Sequence, residues 1–169
     1  MAIAHVQVDT WRTAYKGIVP DNFLDRMSYE GAQRNWQWLI DPVSAAAVYV
    51  AEDDSRVVGF AAGGVEKGKD PYKAQLYAIY VLEEFQRKGI GLKLTLPIVQ
   101  DMKSSGLTSM TARVLEESPS KQFFEEIGGA RTGSKEKIIG SKSLQEVCYV
   151  WKNLGALVER LGRGQGSAS

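Results

Sequence analysis

One stretch, Gln75 to Ser105, limits the fold more than any other part of the chain. It reads QLYAIYVLEEFQRKGIGLKLTLPIVQDMKSS: an apolar strand, a basic glycine turn and an amphipathic helix. Leu76 to Leu82 is rich in Tyr, Ile and Val and free of Gly and Pro, as a buried strand requires. In the turn, Gln86-Arg87-Lys88-Gly89-Ile90-Gly91, two glycines mark a tight turn or a close approach to the backbone. In the helix, Leu92, Thr95, Leu96, Val99 and Met102 recur at spacings of three, four and seven, with Lys93, Gln100 and Lys103 on another face.

A turn that feeds a helix start aims unpaired N–H groups outward, and the helix dipole adds positive potential. Arg87 and Lys88 add two formal charges beside them, so the turn suits a phosphate. It is not a Walker A loop, because no Gly-Lys-Ser/Thr follows a glycine at the required spacing. Nor is it a dinucleotide fingerprint, because Leu94 stands where a third glycine is needed. What fits is Gln/Arg-x-x-Gly-x-Gly/Ala after a strand. A basic surface turn without a ligand is the plain alternative.

With 169 residues the chain suits one domain, expected over 1–160, with a Gly/Ser-rich tail over 161–169 expected to be disordered. Twenty-one Lys and Arg against 20 Asp and Glu leave a net charge of +1 and no basic run, which argues against a nucleic-acid or membrane surface. No apolar run is long enough to span a membrane and no secretory signal opens the chain, so a cytoplasmic location is expected. One cysteine and one histidine exclude an internal disulfide and a His-rich metal site, and no metal is expected.

Two helical segments are read first, Ala2 to Tyr15 and Ser28 to Leu39, with a short piece after Pro20 and a stop at Asp41-Pro42. Val48–Glu52 and Arg56–Val65 form a hairpin about Asp53-Asp54-Ser55, and Lys69-Asp70-Pro71 loops back to the central strand. Pro97 is expected to kink the helix that contains it. Leu107–Leu115 supplies the next strand. Ser118-Pro119 opens another helix, ended by Gly128-Gly129, and Ala130–Ile139 with Leu144–Trp151 make a last hairpin.

The hexapeptide after LYAIYV, with Trp11-Arg-x-Ala14-Tyr15-Lys-Gly17-Ile-Val-Pro20 before it and Val114 to Ala130 and LQEVCYVW after it, resembles the GNAT superfamily of N-acetyltransferases. The resemblance runs from Trp11 to Trp151. It implies a single α/β (α+β) domain with a mixed, mostly antiparallel sheet and helices on both faces. The family usually has a strand before its first helix, and only a few residues precede that helix here. Either the start is truncated or misassigned, or the sheet lacks that edge strand, which would bare the next strand and invite a homodimer.

The resemblance also implies acetyl-CoA as co-substrate and transfer to a primary amine of a small molecule or peptide. Gln86, Arg87, Lys88, Gly89, Ile90 and Gly91 would hold its diphosphate, while Ile79 and Val81 would bond the pantetheine arm between splayed strands. The Ile79 N–H would be the oxyanion donor. Ser118 stands for a cofactor-contacting loop asparagine, and Phe124 flanks the thioester arm. Trp11, Tyr15 and Gln75 would border the acceptor, with core packing an equal alternative for both aromatics.

The usual acid and base are absent. Gln75 replaces the family's glutamate and Phe124 its tyrosine. Tyr80, Ser118 and Tyr149 remain as acid candidates, and Glu83 and Glu146 as base candidates. Three readings stay open: transfer by positioning, transfer through substitute residues, or a module that binds acyl-CoA without reacting. A binder of some other nucleotide phosphate is a further alternative. Cys148 is read as a buried structural thiol and His5 as an incidental helix residue.

Overall fold

The computed structural model describes residues 2–39, 44, 46–66 and 71–165. Helix α1, Ala2–Ala14, buries Ala4, Val6, Val8 and Thr10 on one face. A short α2, Asp21–Arg26, follows Pro20. Then comes α3, Tyr29–Gln37, whose start is fixed by Ser28: its hydroxyl accepts the Gly31 N–H. Strands β1, Ala46–Asp53, and β2, Arg56–Val65, meet at a turn where Asp54 and Ser55 have φ of 45° and 66°. Two successive positive φ values match the twist of a tight hairpin.

Strand β3, Ala74–Val81, is followed by a single 3-10 turn, Glu83–Phe85, and by helix α4, Ile90–Ser104. Next come β4, Met110–Leu115, helix α5, Lys121–Glu126, and strands β5, Ala130–Ile139, and β6, Lys142–Trp151. Helix α6, Leu154–Gln165, closes the described chain. The six strands form one sheet in the order β1-β2-β3-β4-β6-β5. All neighbours are antiparallel except β3 and β4.

Alternation along β2 sends Ala61 to one face and Phe60 and Ala62 to the other. The first face packs on α4, α5 and α6, through Ile98, Val99, Met102, Phe124, Leu154, Leu157 and Leu161. The second packs on α1 and α3, through Val6 and Trp36. This is the mixed, mostly antiparallel sheet with helices on both faces that was expected. No strand among the described residues pairs with the outer side of β1.

Three local expectations are corrected. The last helix runs through Gln165, well into the segment expected as a disordered tail, because Leu154, Leu157 and Leu161 are buried. Strand β4 begins at Met110 rather than Leu107, whose N–H turns back to the Met102 carbonyl at 3.0 Å and caps α4. Helix α5 begins at Lys121 rather than at Ser118-Pro119. Ser118 instead holds a turn, its Oγ accepting the Ser120 N–H at 3.2 Å. Pro97 lies inside α4, which runs on from Ile90 to Ser104. The stop at Asp41-Pro42, the loop residues Lys69 and Asp70, and residues 166–169 of the tail lie outside the described residues.

Candidate active site

The site begins with a miscount between two strands. β2 and β3 pair from Gly59↔Val81 to Ala62↔Ala78, then resume at Gly63↔Leu76, so Tyr77 is one residue too many. Such a bulge bends its strand and breaks the ladder locally. Tyr77 and Ala78 consequently both turn to the α1 face, while Leu76 and Ile79 turn to the α4 face. On its other side β3 meets β4 only at Gln75↔Thr111 and Leu76↔Ala112. Beyond the bulge the two parallel strands part, and a cavity of about 430 Å³ fills the opening.

The phase of the ladder decides which main-chain groups face that cavity. The Leu82 N–H donates to the Val58 carbonyl at 2.9 Å, so Leu82 points its polar groups at β2. Groups alternate along an antiparallel strand, so those of Val81 and Ile79 point away from β2, into the gap. The Val81 carbonyl accordingly accepts the Gln86 Nε2–H at 2.9 Å. Ile79 sits where β4 no longer runs alongside to receive its N–H.

Next to this gap the turn presents a row of donors. Among the described residues, no main-chain carbonyl accepts from the N–H groups of Arg87 through Leu92; the first return bond is Lys93 N–H to the Gly89 carbonyl at 3.1 Å. Arg87 and Gly89 both have positive φ, 61° and 76°, and Gly89 caps α4 in a left-handed conformation. Gly91 serves packing: a Cβ there would come 3.1 Å from Cε2 of Phe123. The Arg87 guanidinium donates to Gln122 Oε1 at 3.1 Å, and the Lys88 ammonium lies 5.0 Å from the Phe85 ring centroid.

Of the residues singled out in the sequence, Ile79, Tyr80, Val81, Gln86, Arg87, Gly89, Ile90, Gly91, Phe124 and Tyr15 line the cavity. The Trp11 ring packs tilted against Tyr15, with centroids 4.6 Å apart, and its Nε1–H donates to the Tyr80 hydroxyl at 3.1 Å. Burial pushes both tyrosine hydroxyls up, at Tyr15 with the Tyr80 hydroxyl adding and a Ser118 hydrogen bond opposing. Phe124 is packed among Phe123, Tyr149 and Trp151.

Other candidates are not brought to the cavity wall. Gln75 sits where β3 and β4 are still joined. Ser118 is buried behind Pro119 and Ser120, which do line the wall. The Tyr149 hydroxyl donates instead to Glu125 Oε1 at 2.6 Å; burial and that bond push it up to about 12. Glu83 is exposed in the 3-10 turn. Burial raises Glu146, but Lys137 at 2.5 Å and Lys135 at 3.2 Å outweigh it and hold the carboxyl below its usual range. Lys88 lies off the wall. Cys148 is half-buried and His5 stacks on Tyr29, with ring centroids 3.9 Å apart.

Among the lining residues that carried no sequence signal are Thr10 and Arg113. No group of three or more His, Cys, Asp or Glu side chains among the described residues could hold a metal. No helix there is long and apolar enough to cross a membrane.

A splayed parallel pair leading into a donor-lined turn leaves room for an extended ligand, with main-chain donors at one end. Residues 7–129 match the model of the Acetyltransferase (GNAT) family, and the chain belongs to that family. It is 35% identical over 163 residues to the uncharacterized N-acetyltransferase YuaI of Bacillus subtilis (strain 168), covering 95% of this chain and 92% of that one. Its fold is similar to that of the PaiA N-acetyltransferase of Thermoplasma acidophilum in complex with coenzyme A, with a TM-score of 0.68 and 21% identity, over 86% of this chain and 89% of that one. It is also similar to yncA of Salmonella typhimurium with acetyl-CoA, with a TM-score of 0.64 and 17% identity, over 89% and 87%.

Proposed function

We propose that this acetyltransferase moves an acetyl group from acetyl-CoA directly to a primary amine of a small molecule or peptide. The observation that carries the reading is the continuity of one cavity from the unpaired donors at Arg87–Leu92 to the freed main chain of Ile79. Two neighbouring folds named with coenzyme A or acetyl-CoA support the choice of co-substrate.

The chain's own groups would fit such a ligand. Turn amides and Arg87 would bind the diphosphate, and Ile79 and Val81 would bond the arm where β4 has left. Acetyl-CoA supplies an activated thioester. The Ile79 N–H would face the thioester oxygen on which charge develops, and losing a donor in that role costs about 3 kcal/mol in comparable sites. Orientation alone contributes about 7–11 kcal/mol, so a site with Gln75 and Phe124 in place of an ionisable pair retains a route to transfer.

Those same two residues favour a second reading, an acyl-CoA-binding module without turnover. Incubation with acetyl-CoA and a panel of amines, followed by free thiol release, separates the two. Thiol release that depends on an amine supports transfer. Tight coenzyme A binding with no release on any amine supports the module.

We further propose a homodimer joined through β1. Its Ala46–Val50 half carries no charge or proline and leaves Val50 47% exposed, whereas the opposite edge strand, β5, carries Arg131, Lys135 and Lys137. Charged edges resist pairing, and bare ones template it.

A further inference from the structure

The cavity has two chemically different ends. One is the donor-lined turn; the other is walled by Thr10, Ala14, Tyr15, Tyr77 and Tyr80. If the diphosphate takes the first end and the thioester reaches Ile79, the second end receives the acceptor. Two observations there do not depend on the cofactor.

The first is charge. Among the described lining residues of the whole cavity, the charged side chains are Arg87, Arg113 and Glu126. Two cations oppose one carboxylate, and alternation along β4 puts the Arg113 cation, with Leu115, on the α1 face, opposite Ala112 and Val114. The three tyrosine hydroxyls there are held neutral, since burial pushes all of them upward. A polycation buried against such a wall would lack the carboxylates it needs.

The second is an orphan. Thr10 is 6% exposed, and its Oγ1 has no hydrogen-bond partner in the protein. A buried hydroxyl without a partner is costly. Threonine in a helix divides between two χ1 rotamers, so rotation about one bond can turn this hydroxyl toward a guest.

We propose that the acceptor is a primary amine on an aromatic or apolar body, with Thr10 Oγ1 as its hydrogen-bond partner. The inference rests on the acetyl-transfer reading above and adds the substrate class and a specificity residue to it. Desolvation among rings disfavours the ammonium form, so the neutral nucleophile forms without a carboxylate at Gln75. The nitrogen forms the new C–N bond as the C–S bond breaks. Sulfur leaves with the electron pair, and the proton shed by nitrogen passes through water to the thiolate.

The test uses the full chain with acetyl-CoA and two probe amines, 2-phenylethylamine and spermidine. Coenzyme A affinity is measured separately by calorimetry. The expected result is a kcat/KM for 2-phenylethylamine about tenfold or more above that for spermidine. Thr10→Val should raise the KM for 2-phenylethylamine about tenfold. Its coenzyme A affinity and melting temperature should not fall, and Thr10→Ser should keep wild-type kinetics.

Preference for spermidine, or no turnover of either amine by protein that binds coenzyme A, overturns the substrate class. A Thr10→Val enzyme with unchanged KM, or one whose lost activity merely follows a lower melting temperature, overturns the role of Thr10. Failure to bind coenzyme A at all overturns the acetyl-transfer reading and this inference with it.

Discussion

Gly91 shows how little side-chain chemistry the cofactor end uses. Its role is to let the Phe123 ring sit against the first turn of α4, where any Cβ would stand 3.1 Å from Cε2. Gly91→Ala should therefore push Phe123 and the turn apart by a few tenths of an ångström. Coenzyme A affinity is expected to fall about tenfold, the cost of about one misaligned hydrogen bond, with little change in melting temperature; titration calorimetry and a thermal melt read the two. Glycines announce themselves in a sequence, which is why this end of the site was legible before any coordinates. Thr10 was not, because a lone threonine within an apolar helix face has no pattern to give it away. Tyr149 misled for the opposite reason. A strand tyrosine looks available until its partner, Glu125, arrives from a helix distant in sequence.

Helix α6 was hidden by its composition. Gly162 and Gly164 read as flexible chain, yet Leu154, Leu157 and Leu161 fall at a helical spacing and pack on α4 and the sheet. Burial of that stripe, rather than local propensity, holds the helix. Leu161→Ala should cost about 2–5 kcal/mol, seen as a shift of the urea midpoint. Other elements were read directly because a single residue fixes each: Ser28 starts α3, and Asp54-Ser55 turns the first hairpin. The last hairpin holds Glu146 between Lys135 and Lys137. Because its folded-state pKa lies below the usual 4.5, the stabilisation is present above that value and lost as pH falls through the lower one. Glu146→Gln should thus melt below the wild type at pH 7. The gap should close as the pH drops below about 4.5, and melting curves taken from pH 7 to pH 3 would show it.

Across the whole sheet, the two borders behave differently, and the proposed pairing through β1 follows from that contrast. Val50→Lys should place a charge on the bare border and yield monomers in light scattering, with acetyl transfer per chain unchanged. A dimer that survives the substitution would point to another surface. The sheet's interior holds the feature that no pattern in the sequence could reveal. Tyr77 and Ala78 are both apolar, and their shared orientation becomes visible only against the β2 register. That surplus peptide unit has a further meaning. The opening between β3 and β4 is produced by arithmetic, one link more on one side than on the other, and arithmetic survives any change of residue type. Substitutions along α1 can therefore retune which guest is welcomed while the berth for the donor stays in place; only a deletion would draw the slack out and close it.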